Sequence, residues 1–415
     1  MMPSSTLSSF SFLLEASPTP IYRRITDAYQ QTFTQQGYAV PYFEPHQYTD
    51  LANAVAAFRE LLQAQIATHL LLFDNSQIPL LVHPDGHFLL EEFAGHLVFL
   101  HHDNLANSLV KLGGAQATKV LDLWQRLKHR SSHFCLESTN CLDLQALGMT
   151  RCYPIVHGSE FTPLDLPPTY DYDVSFVGHV LPSIELIFPE FEPLPYSHRL
   201  AQSLWSRLVR LDHACDRDAI AYASQVSHST DPLFITHKFA YLHALGLLSL
   251  PLRGELLKRL NPEFAIAIIG GDPSYLHGSK TQHQLTGQHI SYRSATPDYT
   301  ETATIYHQSK INLNITSTQF DHAVNNRVVD VAAIGGFILT DWKSDLPRLS
   351  QVSEAISYRS LEELNDKIAY YLERPTERQE IADQLHQDLQ ASCTYDRVIE
   401  DLIETLLPPQ ISDGS

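Results

Sequence analysis

One stretch constrains the fold of this chain more than any other: INLNITSTQFDHAVNNRVVDVAAIGGFILTD, from Ile311 to Asp341. A short apolar run, Ile311 to Ile315, reads as a strand. A polar loop follows, then a helical pattern from Val324 to Ile334, then Gly335 and Gly336 as its stop, then a second strand from Phe337 to Thr340. That order is the signature of parallel strands covered by helices. A loop at the carboxyl end of such a strand, feeding a helix start, presents free backbone N–H groups and the positive end of the helix dipole. Together these suit a diphosphate. Arg327 in the first turn adds positive charge, and Asp330, one turn further, is placed to accept hydrogen bonds from ribose hydroxyls. The same letters also fit a plain helix, with Asn325 and Asn326 as caps, Arg327 in a surface ion pair and Asp330 as an exposed polar position.

The same alternation runs through the chain. In the N-terminal part, strands are expected at Phe10 to Leu14, Tyr38 to Phe43, His69 to Phe73, Leu97 to Leu100, Phe134 to Leu136 and Tyr153 to Val156. Helices are expected at Ile21 to Gln36 and Ala52 to Gln65. The stretch HGSEFTPLDLPPTYDY, from His157 to Tyr172, is rich in proline and polar residues and reads as a linker. A second series of strands then begins with Asp173 to Gly178 and continues with Phe264 to Ile269 and a short edge strand at His289 to Tyr292. A mostly helical stretch spans His198 to Leu260, and two amphipathic helices close the series, Leu361 to Glu373 and Glu377 to Ala391. The 415 residues accommodate two α/β domains, each with its own core. We expect these at residues 1–165 and 166–390, followed by a C-terminal helix and tail at 391–415.

Charge and cysteine usage exclude several classes. The formal charge of −19 argues against general binding to nucleic acid or anionic membranes. Five cysteines without a CxxC pair fit neither a disulfide scaffold nor a zinc ribbon. No HExxH or similar spacing occurs among the histidines, so no metal site and no cofactor are expected. EASPTP after Leu14 lacks the GxGxxG turn of a nicotinamide-binding unit. The opening MMPSSTLSSFSFLLEAS has no basic n-region, and no window is apolar enough to span a bilayer, so a cytoplasmic chain without stable membrane insertion is expected.

YDVSFVGH at Tyr172 to His179, SKINLNIT at Ser309 to Thr316, NNRVVDVAAIGGFILTD at Asn325 to Asp341 and YYLERPTERQEIA followed by TYDRV occur in one order. Together they resemble the CgeB-type glycosyltransferase-like family of the GT-B group. The resemblance implies two Rossmann-like α/β domains facing across a cleft, a nucleotide-sugar donor in the C-terminal domain and an acceptor, of unspecified kind, approaching from the N-terminal one. Asp330 matches the carboxylate that holds the donor ribose, and His322 stands where relatives often carry a glutamate facing the sugar. Gly178 and His179 follow the first strand of that domain, where relatives place an arginine or lysine near the diphosphate. Tyr292, Arg293 and Ser294 stand where relatives receive the base.

FLHHDN, from Phe99 to Asn104, is similar to a His-Asp pair that many GT-B enzymes place facing the cleft, which makes His102 and Asp103 the catalytic candidates. The histidine would bond the donor sugar and the carboxylate would orient its ring. Glu15 and Ser17, after the first strand, are the acceptor-side candidates. Gly270, Gly271 and Asp272 fit either a close approach to the nucleotide or an ordinary turn. The activity implied is sugar transfer from a nucleoside-diphosphate donor without a protein-held metal. The alternative is a catalytically silent binding or scaffold protein, favoured by His322 and by the missing cation after Gly178.

Overall fold

The computed structural model of the chain describes residues 11–15, 20–38, 40–64, 67–73, 82, 86–110, 114–165, 169–187, 205, 234–270, 289–293 and 298–407. The chain divides into two units. The first comprises Met1–Asn104, Lys111–Gly158 and Ser392–Ser415; the second comprises Leu105–Val110 and Ser159–Ala391.

In the first unit, β1 (Phe12–Glu15), β2 (Tyr42–Phe43), β3 (His69–Leu72), β4 (His96–His101), β5 (Ser131–Cys135) and β6 (Cys152–Pro154) form one sheet in the order β2-β1-β3-β4-β5-β6. Every pairing in it is parallel. The helices are α1 (Pro20–Gln35), α2 (Leu51–Ala64), α4 (Gly114–Leu127) and α5 (Ser138–Ala146); α3 (Leu105–Val110) belongs to the second unit. The run expected as a strand from Tyr38 pairs only over Tyr42–Phe43. Pro41 just before it has no N–H to give, although its carbonyl accepts from Leu14 N at 3.1 Å.

The last helix of the chain, Tyr395–Leu406, completes this first unit. Its Tyr395, Val398, Ile399, Leu402 and Ile403 recur at helical spacing and form one apolar stripe. The stripe packs into the core that holds Phe12, Leu14, Tyr29 and Phe33.

In the second unit, β7 (Tyr172–Val177), β8 (Ile266–Ile269), β9 (Ile290–Arg293), β10 (Ser309–Asn314), β11 (Ile338–Asp341) and β12 (Ser357–Tyr358) form a sheet in the order β12-β11-β10-β7-β8-β9. It too is parallel throughout. The helices that position its carboxyl edge are α6 (Phe234–Lys258), α7 (Tyr299–His307), α8 (Asn326–Ala333), α9 (Leu361–Glu373) and α10 (Pro375–Gln390). Of the helical stretch expected from His198 to Leu260, the described helix is α6; residues 198–204 and 206–233 lie outside the described residues.

Counted from β7, this sheet has the doubly wound order three-two-one-four-five-six, and its direction of winding reverses between β7 and β10. At the carboxyl end of β7, Gly178 donates its N–H to Ile269 at 2.9 Å. Gly270, with φ +158°, leaves room for nothing larger, since a Cβ there would lie 2.1 Å from the Gly178 carbonyl oxygen. The two strand ends can approach this closely only with glycine at position 270. Gly270→Ala is therefore expected to lower the unfolding free energy by about 1–3 kcal/mol. Urea denaturation of the variant checks this, and an unchanged midpoint would contradict the close approach.

Candidate functional site

Open α/β sheets take ligands outside the carboxyl ends of the strands, where the winding reverses. In the second unit that point lies between Val177 of β7 and Asn314 of β10. Asn314 has no exposed surface. Its Nδ2 donates to Thr316 Oγ1 at 3.0 Å and to Thr340 Oγ1 at 2.8 Å. Its Oδ1 accepts from Asn325 Nδ2 at 3.1 Å and from Arg327 Nη1. A primary amide offers two donors and one oxygen with two lone pairs, so all four capacities are filled. The backbone oxygen of Asn314 accepts from the Tyr358 hydroxyl at 2.8 Å, and burial holds that phenol well above its ordinary range.

This bonding turns the start of α8 into an open donor site. Asn325 occupies the cap position with extended backbone, yet its side chain does not cap the helix: its Nδ2 is turned to Asn314 instead. The Oδ1 of Asn325 and the Nε of Arg327 are buried without hydrogen-bond partners. The guanidinium of Arg327 lies over the Phe176 ring, 5.4 Å from its centroid, and one of its nitrogens would meet a Cβ at Gly178 at 3.1 Å. Asn326, the first residue of α8, is half-buried beside it.

A second guanidinium arrives from α6. Arg253 lies 5.9 Å from the same Phe176 ring centroid. Its Nε donates to the Ile315 carbonyl at 3.1 Å and its Nη1 to the His179 carbonyl at 3.4 Å. Arg253 thus supplies a cation close to where the sequence offered only His179, whose side chain is exposed. Sequence reading missed it. The available signal was a lone cation inside the apolar run LLSLPLRGELL.

The remaining candidates are distributed differently. Asp330 is 3 % exposed, and its Oδ1 accepts from Ser159 Oγ at 2.7 Å, so this carboxylate is already engaged. His322 bonds the Ser344 hydroxyl through Nδ1, and its carbonyl accepts from Asp345 N at 3.2 Å; these contacts fix the loop after β10 to the loop after β11. Thr316 N donates to Asp341 Oδ1 at 2.7 Å in the same arrangement. Arg293, at the end of β9, is directed to the Tyr172 hydroxyl at 2.5 Å and to Glu301 at 3.4 Å, not to the start of α8. Gly271, Asp272 and Ser294 lie outside the described residues.

In the first unit, His102 follows the carboxyl end of β4 and is buried. Its ring stacks on Phe73, with centroids 6.4 Å apart, and on His157 at 5.5 Å. Neither ring nitrogen has a hydrogen-bond partner. The expectation that Asp103 orients this ring is corrected by the geometry: Asp103 Oδ2 accepts from the Tyr22 hydroxyl at 2.8 Å instead. Glu15 is fully buried and accepts from Phe73 N at 3.2 Å, bridging the ends of β1 and β3 where this sheet reverses its winding. Ser17 lies outside the described residues. Among the described residues, no group of three or more His, Cys, Asp or Glu side chains is arranged to hold a metal ion, and no helix is long and apolar enough to cross a membrane.

Comparison with known proteins bears directly on the half that carries Arg253 and Arg327. The family model described as "Glycosyl transferase-like" matches residues 253–404. The spore protein CgeB of Bacillus subtilis (strain 168) is 35 % identical over 74 residues, which cover 18 % of this chain and 22 % of that protein. Within residues 253–404 the chain is thus similar to glycosyl transferase-like proteins, and over a shorter segment to CgeB.

Solved structures share the fold over nearly the whole length. Sucrose-phosphate synthase from Thermosynechococcus elongatus superposes with a TM-score of 0.53 at 12 % identity, covering 95 % of this chain and 98 % of that one. The β-glucosyltransferase of phage T4 gives 0.52 at 10 % identity, covering 95 % and 98 %. HepE of Anabaena, solved with UDP and glucose, gives 0.51 at 10 % identity, covering 96 % and 99 %. These likenesses place both parallel sheets in a GT-B architecture.

The histidines around His102 have a consequence for stability. His101, His102, His133 and His157 are buried. Burial lowers His102 to about 4 and His133 to about 3, and takes His101 and His157 well below the ordinary value. In the unfolded chain they bind protons near pH 6.5, so between that value and their folded pKa the unfolded state holds more protons. Stability is therefore complete above about pH 6.5 and falls as pH drops toward 4, by about 1.4 kcal/mol per pH unit for each histidine. Urea unfolding at pH 7.5, 6 and 5 checks this, and a flat unfolding free energy across that range would contradict it.

Proposed function

We propose that this protein transfers a sugar from a nucleoside-diphosphate donor, whose diphosphate lies against the uncapped start of α8 between Arg327 and Arg253. The observation that carries the reading is the state of that helix start. Its cap side chain is turned away, and two guanidinium groups lie against one aromatic ring beside two close-packed glycines. Departure of a nucleoside diphosphate develops negative charge on its terminal phosphate. Pre-placed N–H groups and guanidinium groups stabilise that charge without reorganising at the moment of reaction. The Nε of Arg327, buried and unpartnered, is a donor still available for the purpose.

In this reading Asp330 fixes the helix through Ser159, and the polar loop from Thr316 to His322 borders the sugar. His102 contributes a neutral imidazole: with its pKa lowered to about 4 by burial, it serves at neutral pH as a hydrogen-bond partner to substrate. Solved complexes of the structural neighbours hold UDP or UDP-glucose, which supports a nucleotide-sugar donor and makes UDP-sugars the first to try. A complex of the T4 enzyme with UDP and Mn2+ is among them, so the assays belong both with and without a divalent cation.

Two measurements test the proposal. In calorimetry with UDP, Arg327→Ala is expected to bind about ten- to a hundredfold more weakly, as loss of a charge-assisted hydrogen bond implies. Its circular dichroism should match that of the parent chain. Unchanged affinity would remove the site. Separately, incubation with a panel of nucleotide sugars should release nucleoside diphosphate from at least one. Binding without release from any of them would favour the catalytically silent reading.

A further inference from the structure

The second sheet carries another opening, at its amino-terminal edge. A cavity of about 490 Å³ lies among Ser309 and Lys310 at the start of β10, Phe337 before β11, the end of α8 and one face of α10. That volume is within the range of small-molecule sites. The site proposed above is at the opposite end of β10, where Asn314 ends the strand.

The chemistry of the lining is unusual for so acidic a chain. Arg378 of α10 is 4 % exposed. Its Nη1 donates to the Tyr371 carbonyl at 2.7 Å, and its guanidinium lies 5.5 Å from the Tyr170 ring centroid. Among the described residues it has no carboxylate partner. Asp383, the acid that also lines the cavity, is exposed and accepts from Gln379 at 2.8 Å. A guanidinium this deeply buried without a counter-charge is costly, and a bound anion would relieve the cost. Two further groups suit an anion. The Nε2 of His307 is buried without a partner, and Lys310, whose charge is matched by Asp173 at 2.6 Å, offers further N–H donors at the wall. The ring of Tyr170 and the side chains of Ile334 and Phe337 give the rest of the lining an apolar character.

We propose that this cavity binds a small organic anion, with a phosphate or carboxylate on Arg378 and His307 and an apolar or flat body against Tyr170, Ile334 and Phe337. It is a second site, separate from the sugar donor's. His386 Nδ1 donates to the Ala332 carbonyl at 2.8 Å beside the cavity, so an occupant abuts the last turn of the helix whose first turn carries Arg327.

Calorimetric titration of the full chain with inorganic phosphate, a hexose phosphate and an aryl carboxylate tests the site. At least one is expected to bind with one-to-one stoichiometry. Arg378→Met should weaken that binding about tenfold or more, the loss expected for a charge-assisted contact, and Arg327→Ala should leave it unchanged. Binding of either phosphate compound identifies a phosphate head, and binding of the aryl carboxylate alone a carboxylate. No binding of any of the three at millimolar concentration overturns the proposal, as does equal binding by Arg378→Met. Thermal unfolding without ligand guards against misreading a folding defect. Removing an uncompensated buried charge should leave the midpoint unchanged or higher. A midpoint lowered by several degrees would make Arg378 a structural arginine serving Tyr371, which also overturns the proposal.

Discussion

The side-chain amide of Asn314 is the interaction on which the second unit's carboxyl edge depends. It is buried at the end of a central strand, and its four hydrogen-bonding capacities reach Thr340 on the neighbouring strand, Thr316 in the following loop, and Asn325 and Arg327 at the start of α8. A buried amide with any of these unmade would cost free energy, so the four contacts reinforce one arrangement of strand, loop and helix. The unfilled helix cap follows from it. Asn325 is drawn to Asn314, and the first N–H groups of α8 are left to whatever arrives from outside.

Electrostatics explain why this arrangement matters in a chain of net charge −19. Such a surface repels anions in general, so an anionic ligand needs a local concentration of positive groups. The second unit provides it by stacking two guanidinium groups on Phe176, a ring with no exposed surface. The ring's π-system attracts each cation, and the carbonyls of Ile315 and His179 hold Arg253 in place. The glycine contact between Gly178 and Gly270 keeps the adjoining strand ends free of side chains.

Much of this was legible in the sequence. The segment from Ile311 to Asp341 carried its strand, helix, glycine stop and strand nearly to the residue, because buried parallel strands and an amphipathic helix have different periods. Leu361–Glu373 matches its expected bounds. Other features were hidden for physical reasons. The α7 helix went unseen because short, weakly patterned helices take their stability from packing more than from local preference, whereas α4, an amphipathic helix of 14 residues, was simply overlooked. Arg253 is remote in sequence from Arg327 and comes near it only through the fold. Asn314 was read merely as part of a strand, although an asparagine in so apolar a run announces a hydrogen-bonding duty. The partner of Asp103 was misjudged for the converse reason, since adjacency to His102 in the chain does not make the two side chains meet: Asp103 bonds Tyr22, which is remote in sequence.

On the function proposed above, the amide-lined start of α8 receives a pyrophosphate. A crystal structure of the chain with a bound nucleoside diphosphate tests it most directly. Phosphate oxygens are expected within hydrogen-bonding distance of Arg327 and of the first backbone N–H groups of α8, with Arg253 nearby. A nucleotide bound elsewhere, with the start of α8 empty or closed by its own side chains, would contradict it.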